Sequence, residues 1–140
     1  MAFTGNFTCN VFKTGILNGS FDFSTDTFYL ALYTNSATLD ATTTAYTTTG
    51  ESSGGNYSAG GLPLTVTQTP TTGPSGTTAY ISFGNVSWTG AITARGALIY
   101  KLGDNGAVCV LDFGSDKTSV TTFTVQFPSA TNSSAIIRIS

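Results

Sequence analysis

The stretch TARGALIYKLGDNGAVCVLDFG, residues 93 to 114, decides the fold of this chain. Two apolar runs flank a short polar stretch that ends in Asp104, Asn105 and Gly106. Asn-Gly pairs readily take the left-handed backbone conformations that tight turns need. We therefore predict a β-hairpin over residues 97–113 that turns at these three residues, with its strands antiparallel.

Further runs of strand character follow and precede this hairpin at close spacing, divided by Gly, Asn, Asp and Pro. They are TFYLALYT (27–34), YISFGNVSW (80–88), TTFTVQFP (121–128) and AIIRIS (135–140). Phe123, Val125 and Phe127 alternate with polar residues, which indicates a half-buried strand. We expect the C-terminal run to lie inside the sheet. The spacing predicts an all-β fold, mainly an antiparallel sandwich or barrel.

Residues 27–34 carry apolar side chains on both faces of a strand, because successive side chains point to opposite sides. Such a strand is either central, with both faces covered, or lies at a subunit interface. One short helix is predicted nearer the N-terminus, over residues 8–18. Cys9, Phe12 and Ile16 fall on one helical face, and Asn18-Gly19 provides a C-terminal stop.

Residues 35–78, called here the Thr-rich arm, are dominated by Thr, Ser, Gly and Pro. Structureless loops longer than ~15 residues are uncommon in compact domains unless they are functional or disordered. The arm carries apolar anchors at Tyr46, Tyr57, Leu62 and Leu64. We expect an extended arm with one or two short strands, ordered by adjoining subunits, inserted in a single β-sandwich-type domain that spans residues 1–140.

Charge is scarce, since Asp, Glu, Lys and Arg make up 9% of the chain, against ~25% in typical soluble domains. The net charge of −2 provides no cationic surface for phosphate backbones, which argues against a nucleic-acid partner. No apolar run approaches the ~18 residues of a membrane span. The first residues lack the basic and apolar regions of a secretory signal, so we expect no export and two free, buried thiols at Cys9 and Cys109.

Histidine is absent from the chain, so catalytic triads and His metal ligation are excluded. Carboxylate chemistry needs only two Asp or Glu residues, and Asp112 and Asp116 are the pair most worth testing. Turn formation and pairing with a cation explain them better, as does turn capping for Asp22 and Asp26. We expect no enzyme activity, no cofactor and no metal site.

Arg95 is one of only five basic residues and stands beside Gly96 in an otherwise apolar run. Glycine here permits close backbone approach or a bulge, and an isolated buried charge is costly. We expect Arg95 to pair with Asp112 or Asp116, within the subunit or across an interface. Trp88 follows a strand and is either an exposed platform for a sugar ring or an indole packed at the margin of the core, and the second is favoured.

Several segments resemble a family of small virion proteins from tailed bacteriophages, including cyanophages. They are FYLALYT (28–34), YSAGG (57–61), SWTGAITARGALIYK (87–101), AVCVLDFGSDKTS (107–119), TFTVQFP (122–128) and AIIRI (135–139). The resemblance runs nearly end to end and includes the order of elements, from an N-terminal helix with its F-K-x-x-I/L pattern (Phe12 to Ile16) to the closing Ile-rich strand.

The resemblance implies a non-enzymatic structural protein, and among virion roles a decoration or cement protein on the capsid exterior, made in the host cytoplasm. Its implied partners are the major capsid protein and copies of itself, as a homotrimer. Two other roles stay open: a tail or fibre component that contacts tail proteins, and a receptor-binding or carbohydrate-binding module. The candidates for interface or structural roles are Arg95, Asp112, Asp116, Trp88, Tyr57, Tyr46, Leu62 and Leu64.

Overall fold

The computed structural model describes residues 3–140, which form three antiparallel sheets and a short helix near the N-terminus. In chain order the elements are β1 (Phe7–Thr8), α1 (Asn10–Asn18), β2 (Phe28–Tyr33), β3 (Leu62–Pro63), β4 (Val66–Thr71), a 3-10 turn (Gly73–Ser75), β5 (Ala79–Phe83), β6 (Val86–Thr89), β7 (Thr93–Lys101), β8 (Ala107–Thr118), β9 (Thr122–Val125) and β10 (Ile137–Ile139). The sheets have the orders β1-β8-β7-β2-β3, β10-β5-β4 and β6-β9. This confirms the predicted all-β, antiparallel fold with one short N-terminal helix.

The β7–β8 hairpin is the centre of the five-stranded sheet, as its sequence predicts. Leu98 pairs with Val110, and Ile99 with Cys109. Asn105 takes a φ of 61°, which is the left-handed conformation that the Asn-Gly sequence predicts for this turn. Strand β2 pairs with β7, and β1 pairs with β8, so the hairpin carries a neighbour on each side.

Strand β2 is covered on both faces. Leu30 and Leu32 on one face, and Ala31 and Tyr33 on the other, are each fully buried. The apolar run at 27–34 is therefore a central strand and not a subunit interface. Side chains from all three sheets join one core, in which Trp88 of β6 lies with those of β2.

The C-terminal strand does not lie inside a sheet, which corrects our expectation. β10 pairs only with β5, at the edge of the three-stranded sheet, while β9 pairs with β6. Ile137 is half-buried, and Arg138 and Ile139 are exposed, which suits the edge of a sheet better than its interior.

Helix α1 begins two residues later than predicted, at Asn10, and ends at the predicted Asn18-Gly19 stop, where Gly19 takes a φ of 81°. Its buried face packs into a group of phenylalanines: Phe12 lies 5.1 Å from Phe21 and 5.7 Å from Phe23, between ring centroids. Gly15 makes room for this packing, because a Cβ there would lie 2.4 Å from the Phe21 ring. Among residues 3–140, no helix is both long enough and apolar enough to cross a membrane.

The Thr-rich arm folds back onto the five-stranded sheet through contacts within its own chain. Ala37 and Leu39 are buried, Glu51 bridges to Tyr33 of β2, and Ala45 bridges to Gly106 at the hairpin turn. Two short strands, β3 and β4, lie in the arm as predicted. The anchors of the part that packs on the sheet find their partners inside one chain. Ordering of the arm by neighbouring subunits stays a prediction.

Candidate functional site

Arg95 and Asp112 form an ion pair between β7 and β8. The register explains why they meet: Gly96 pairs with Asp112, and Ala94 with Lys117, so residues 113–116 of β8 form a bulge opposite Arg95 alone. The side chains are 17% and 13% exposed, respectively. The predicted pairing of Arg95 is thereby confirmed, within the subunit and with Asp112.

The Asp112 carboxylate also accepts a hydrogen bond from the backbone N–H of Gly114 at 2.8 Å, inside the bulge. Burial alone would raise the pKa of Asp112, but the hydrogen bonds from Arg95 and Gly114 and the charge of Arg95 outweigh it and hold the pKa below its usual range. Asp112 therefore stays ionised and locks the bulge. This is a structural role.

Asp116, the other candidate partner, does not reach Arg95. Its Oδ2 accepts a hydrogen bond of 3.0 Å from Asn35 Nδ2, which ties the bulge to the beginning of the Thr-rich arm. The close approach predicted at Gly96 is also present. A Cβ there would lie 2.4 Å from the Phe3 ring and 2.5 Å from the Leu111 carbonyl oxygen.

Glu51, which was not predicted from the sequence, accepts three hydrogen bonds within the Thr-rich arm. Its Oε1 accepts hydrogen bonds from the Tyr57 hydroxyl at 2.6 Å and from the Gly60 backbone N–H at 2.7 Å. Its Oε2 accepts one from the Tyr46 hydroxyl at 2.7 Å. The signal was available, because Glu51 is the only glutamate and lies between two tyrosines within a Thr/Ser/Gly-rich segment.

The tyrosines around Glu51 continue this network into the sheet. The Tyr57 hydroxyl accepts from the backbone N–H of Leu32 at 2.9 Å, and the Tyr100 hydroxyl donates to the Gly60 carbonyl at 2.7 Å. Burial, followed by the charge of Glu51, raises the pKa of Tyr100 to about 12. Burial and the hydrogen bond to Glu51 raise the pKa values of Tyr46 and Tyr57 further. These hydroxyls keep their protons and act as fixed donors.

The remaining arm candidates also pack inside the chain. Leu62 pairs with Leu30 at the edge of the sheet, and Leu64 is buried, with its backbone N–H donating to the Phe28 carbonyl at 2.7 Å. Four predicted interface residues, Tyr46, Tyr57, Leu62 and Leu64, are therefore anchors of the arm. Their own chain already uses them.

Trp88 is buried, with 1% of its surface exposed, and its ring lies 5.5 Å from that of Tyr57. It is not available as an exposed platform for a sugar ring, so the reading as packed indole is correct. Its Nε1 has no hydrogen-bond partner among the described side chains and backbone.

All seven carboxylates accept hydrogen bonds that stabilise turns or tie segments together. Besides those of Asp112, Asp116 and Glu51, the acceptor–donor pairs are Asp22 with Ser24 N–H, Asp26 with Asp22 N–H, Asp40 with Thr42 N–H and Asp104 with Gly106 N–H. Over residues 3–140, no group of three or more Cys, Asp or Glu residues is arranged to hold a metal ion. Cys9 and Cys109 are free and buried, as expected.

An apolar groove opens at the surface of the described chain. It lies between α1 and β10, has a volume of about 630 Å³, and is lined by Thr8, Phe12, Lys13, Ile16, Leu17, Ile136, Ile137, Arg138, Ile139 and Ser140. Leu17 is 88% exposed and Ile139 54%, two of the four large apolar side chains that the described chain exposes. None of the predicted interface residues lies here. The groove escaped sequence reasoning because more than a hundred residues separate its two walls.

No protein-family model, curated protein or solved structure matches this chain. The resemblance to small virion proteins of tailed bacteriophages therefore stays a prediction.

Proposed function

We propose that this protein is a non-enzymatic structural component of a tailed-bacteriophage virion, and that it decorates the capsid exterior as a cement protein. On this proposal it is made in the host cytoplasm, contacts the major capsid protein, and associates with copies of itself as a homotrimer. A tail or fibre component that contacts tail proteins is the alternative.

The observation that carries the proposal is the contrast between the ionisable groups, which make contacts within the chain, and the apolar groove between α1 and β10. The ionisable groups hold turns, a bulge and the folded-back arm, as Asp112, Asp116 and Glu51 illustrate. The groove, by comparison, exposes Leu17 and Ile139 on a body with few charges. Exposed apolar surface rimmed by polar residues is typical of protein–protein contact sites. A small domain with such a contact surface is suited to attachment to a larger assembly.

The resemblance supports the same class. Its longest segment, residues 87–101, spans β6 and β7, and residues 107–119 span β8. β7 and β8 form the central hairpin of the five-stranded sheet, and β6 belongs to the two-stranded sheet with β9. The resemblance thus supports a shared arrangement of these strands. The assignment to the capsid exterior is a further inference from the same resemblance.

The test is a comparison by cryo-electron microscopy of phage particles with and without the protein. We expect additional density between capsomers on the head, and rupture of heads that lack the protein at a lower temperature. Density confined to the tail, with the heat resistance of the heads unchanged, would overturn the capsid assignment in favour of the tail alternative.

A further inference from the structure

We propose that the groove between α1 and β10 binds an extended, acidic segment of a partner protein, which adds to the sheet as a further strand beside β10. This deepens the proposed function and rests on it for the identity of the partner. The chemistry of the partner segment follows from three properties of the groove.

The first property is its apolar lining. Ile16 and Leu17 of α1 form one wall, and Ile137 and Ile139 of β10 the other. A second, smaller depression of about 110 Å³ lies against Phe12, Ile16, Ile137 and Ile139 as well, and extends the apolar surface toward β5. Burial of apolar surface stabilises a complex in proportion to the area removed from water. A partner segment therefore needs apolar side chains on the face that it turns to the groove.

The second property is the free edge of β10. The strand pairs with β5 through Ile137–Ile81 and Ile139–Ala79, and the sheet order leaves no described strand on its other side. Such an edge presents backbone donors and acceptors on which an extended peptide can form a new strand. β10 has three residues, so the complementary segment is short and extended.

The third property is charge. Lys13 and Arg138 both line the groove, and no Asp or Glu side chain does. Among the described residues the ion pairs are Arg95–Asp112 and Lys101–Asp104, so neither groove cation has a carboxylate partner. Arg138 donates one hydrogen bond to the Ser133 carbonyl, and its planar fork has further donors for a carboxylate. The groove thus presents two cationic side chains on a protein whose net charge is −2.

This charge also distinguishes a foreign segment from a second copy of the chain. Two β10 strands paired antiparallel in full register would place Arg138 opposite Arg138, because it is the middle residue of the strand. Like charges directly opposite each other destabilise a strand pair. An acidic partner strand replaces this repulsion with attraction.

The test uses the full chain and two synthetic peptides of about eight residues, a length that matches ordinary strands. One alternates Val with Asp, and the other alternates Val with Lys. We expect the acidic peptide to shift the backbone NMR signals of α1 and residues 137–139, and to bind at least about tenfold more tightly than the basic one at low salt. Equal binding of the two peptides, no binding of either, or shifts confined to another surface would overturn the proposal.

Charge reversal gives the sharper measurement. In the double variant K13E/R138E we expect the preference to invert, so that the basic peptide binds more tightly than the acidic one. Lys117→Glu is the matched control, because Lys117 is exposed on β8, away from the groove, and its change should leave the preference as in the wild type. An inverted preference requires a folded groove, so it separates recognition from misfolding. Retention of the wild-type preference would contradict the proposal.

Purified heads that lack the protein then test the link to function. We expect wild-type protein to sediment with heads, K13E/R138E to be lost from them, and Lys117→Glu to behave as wild type. If the wild-type protein does not sediment with heads but still prefers the acidic peptide, the capsid assignment is wrong and the groove inference stands. If the reversed variant sediments with heads like the wild type, the groove inference falls while the assignment stands. A concentration-dependent dimer that Ile139→Asp abolishes would show that a second copy occupies the groove, and would also overturn it.

Discussion

The Glu51 carboxylate accepts a hydrogen bond from the Tyr57 hydroxyl at 2.6 Å, and the same hydroxyl accepts one from the Leu32 backbone N–H at 2.9 Å. A residue of the Thr-rich arm is thus connected through one oxygen atom to the central strand β2. The carboxylate accepts two further hydrogen bonds, from the Tyr46 hydroxyl and the Gly60 backbone N–H. These hydrogen bonds tie the Thr-rich arm to β2.

Glu51→Gln should lower the free energy of unfolding by roughly 2 kcal/mol, because hydrogen bonds to a charged acceptor contribute more than neutral ones and the amide –NH₂ cannot accept. Urea denaturation measures the loss, and limited proteolysis should show earlier cleavage between residues 45 and 61. Asp116→Asn is the control, since its exposed side chain has one partner and an amide oxygen still accepts. Equal stability of the two variants would contradict the anchoring role.

The Arg95–Asp112 pair should show strong coupling in a double-mutant cycle of Arg95→Met and Asp112→Asn. Each single change leaves a largely buried partner unpaired, so we expect each to cost about 2 to 3 kcal/mol and the pair to show a coupling of about 1 to 3 kcal/mol. The pKa of Asp112 is lowered in the folded state. Its contribution is therefore present above an ordinary Asp pKa of ~4 and is lost as the pH falls below that value. Additive single effects at neutral pH would contradict the coupling.

The tyrosines around Glu51 should make the protein sensitive to alkali. Burial is the first cause of the raised pKa values of Tyr33, Tyr46, Tyr57 and Tyr100, the last to about 12. An unfolded tyrosine ionises near pH ~10, so the unfolded state loses protons that the folded state keeps, and stability falls from pH ~10 toward ~12. Melting temperature against pH, with tyrosinate absorbance, measures both. Ionisation of all tyrosines near pH ~10 in a folded protein would contradict this.

Gly61→Ala should destabilise the protein far more than Gly19→Ala, although the two glycines have nearly the same φ of 79° and 81°. At Gly61 a Cβ would lie 1.8 Å from the Leu30 carbonyl oxygen, whereas at Gly19 nothing lies within 4 Å. The shared left-handed conformation costs about 1 to 2 kcal/mol for a residue with a Cβ. Thermal unfolding should show that loss at Gly19 and a larger one at Gly61, where the backbones of the arm and β2 touch. Similar losses would show that the contact can relax.

Trp88 should report a dry environment. We expect its fluorescence in the folded protein to be shielded from acrylamide and unchanged by added oligosaccharides, because the indole is buried. Trp88→Phe should cost less than the ~3 to 5 kcal/mol of a typical Trp→Ala change, since it also removes the unpartnered Nε1–H. Rapid quenching in the native state would contradict the burial.

Local chemistry made the hairpin and the helix predictable. The Asn105-Gly106 turn and the Asn18-Gly19 stop each depend on a backbone conformation that few other residues favour. The Arg95–Asp112 pair was predictable because a single arginine in an apolar strand needs a nearby carboxylate.

Other features depend on which distant segments meet, and a hydrophobic pattern does not carry that information. The alternation in residues 135–140 is the same whether β10 has one neighbour or two. Glu51 is the only glutamate and lies between two tyrosines, but it stands in a polar run without periodicity, so the hydrogen bonds from those tyrosines are seen only in the folded arm. The groove is formed by residues 12–17 and 136–139, and neither half is distinctive alone.

The position of β1 has a consequence for the order of events during synthesis. Phe7 pairs with Val110, and the backbone N–H of Cys9 donates to the Val108 carbonyl, about a hundred residues later in the chain. Strand β2 likewise pairs with residues 96–101. The first quarter of the polypeptide therefore leaves the ribosome before its strands have partners, and the five-stranded sheet closes only after the β7–β8 hairpin has emerged. Such long-range pairing is slow, on the order of milliseconds to seconds, so a nascent chain exposes the apolar side chains of β2 until residues 96–101 have emerged, and β1 waits longer still for β8.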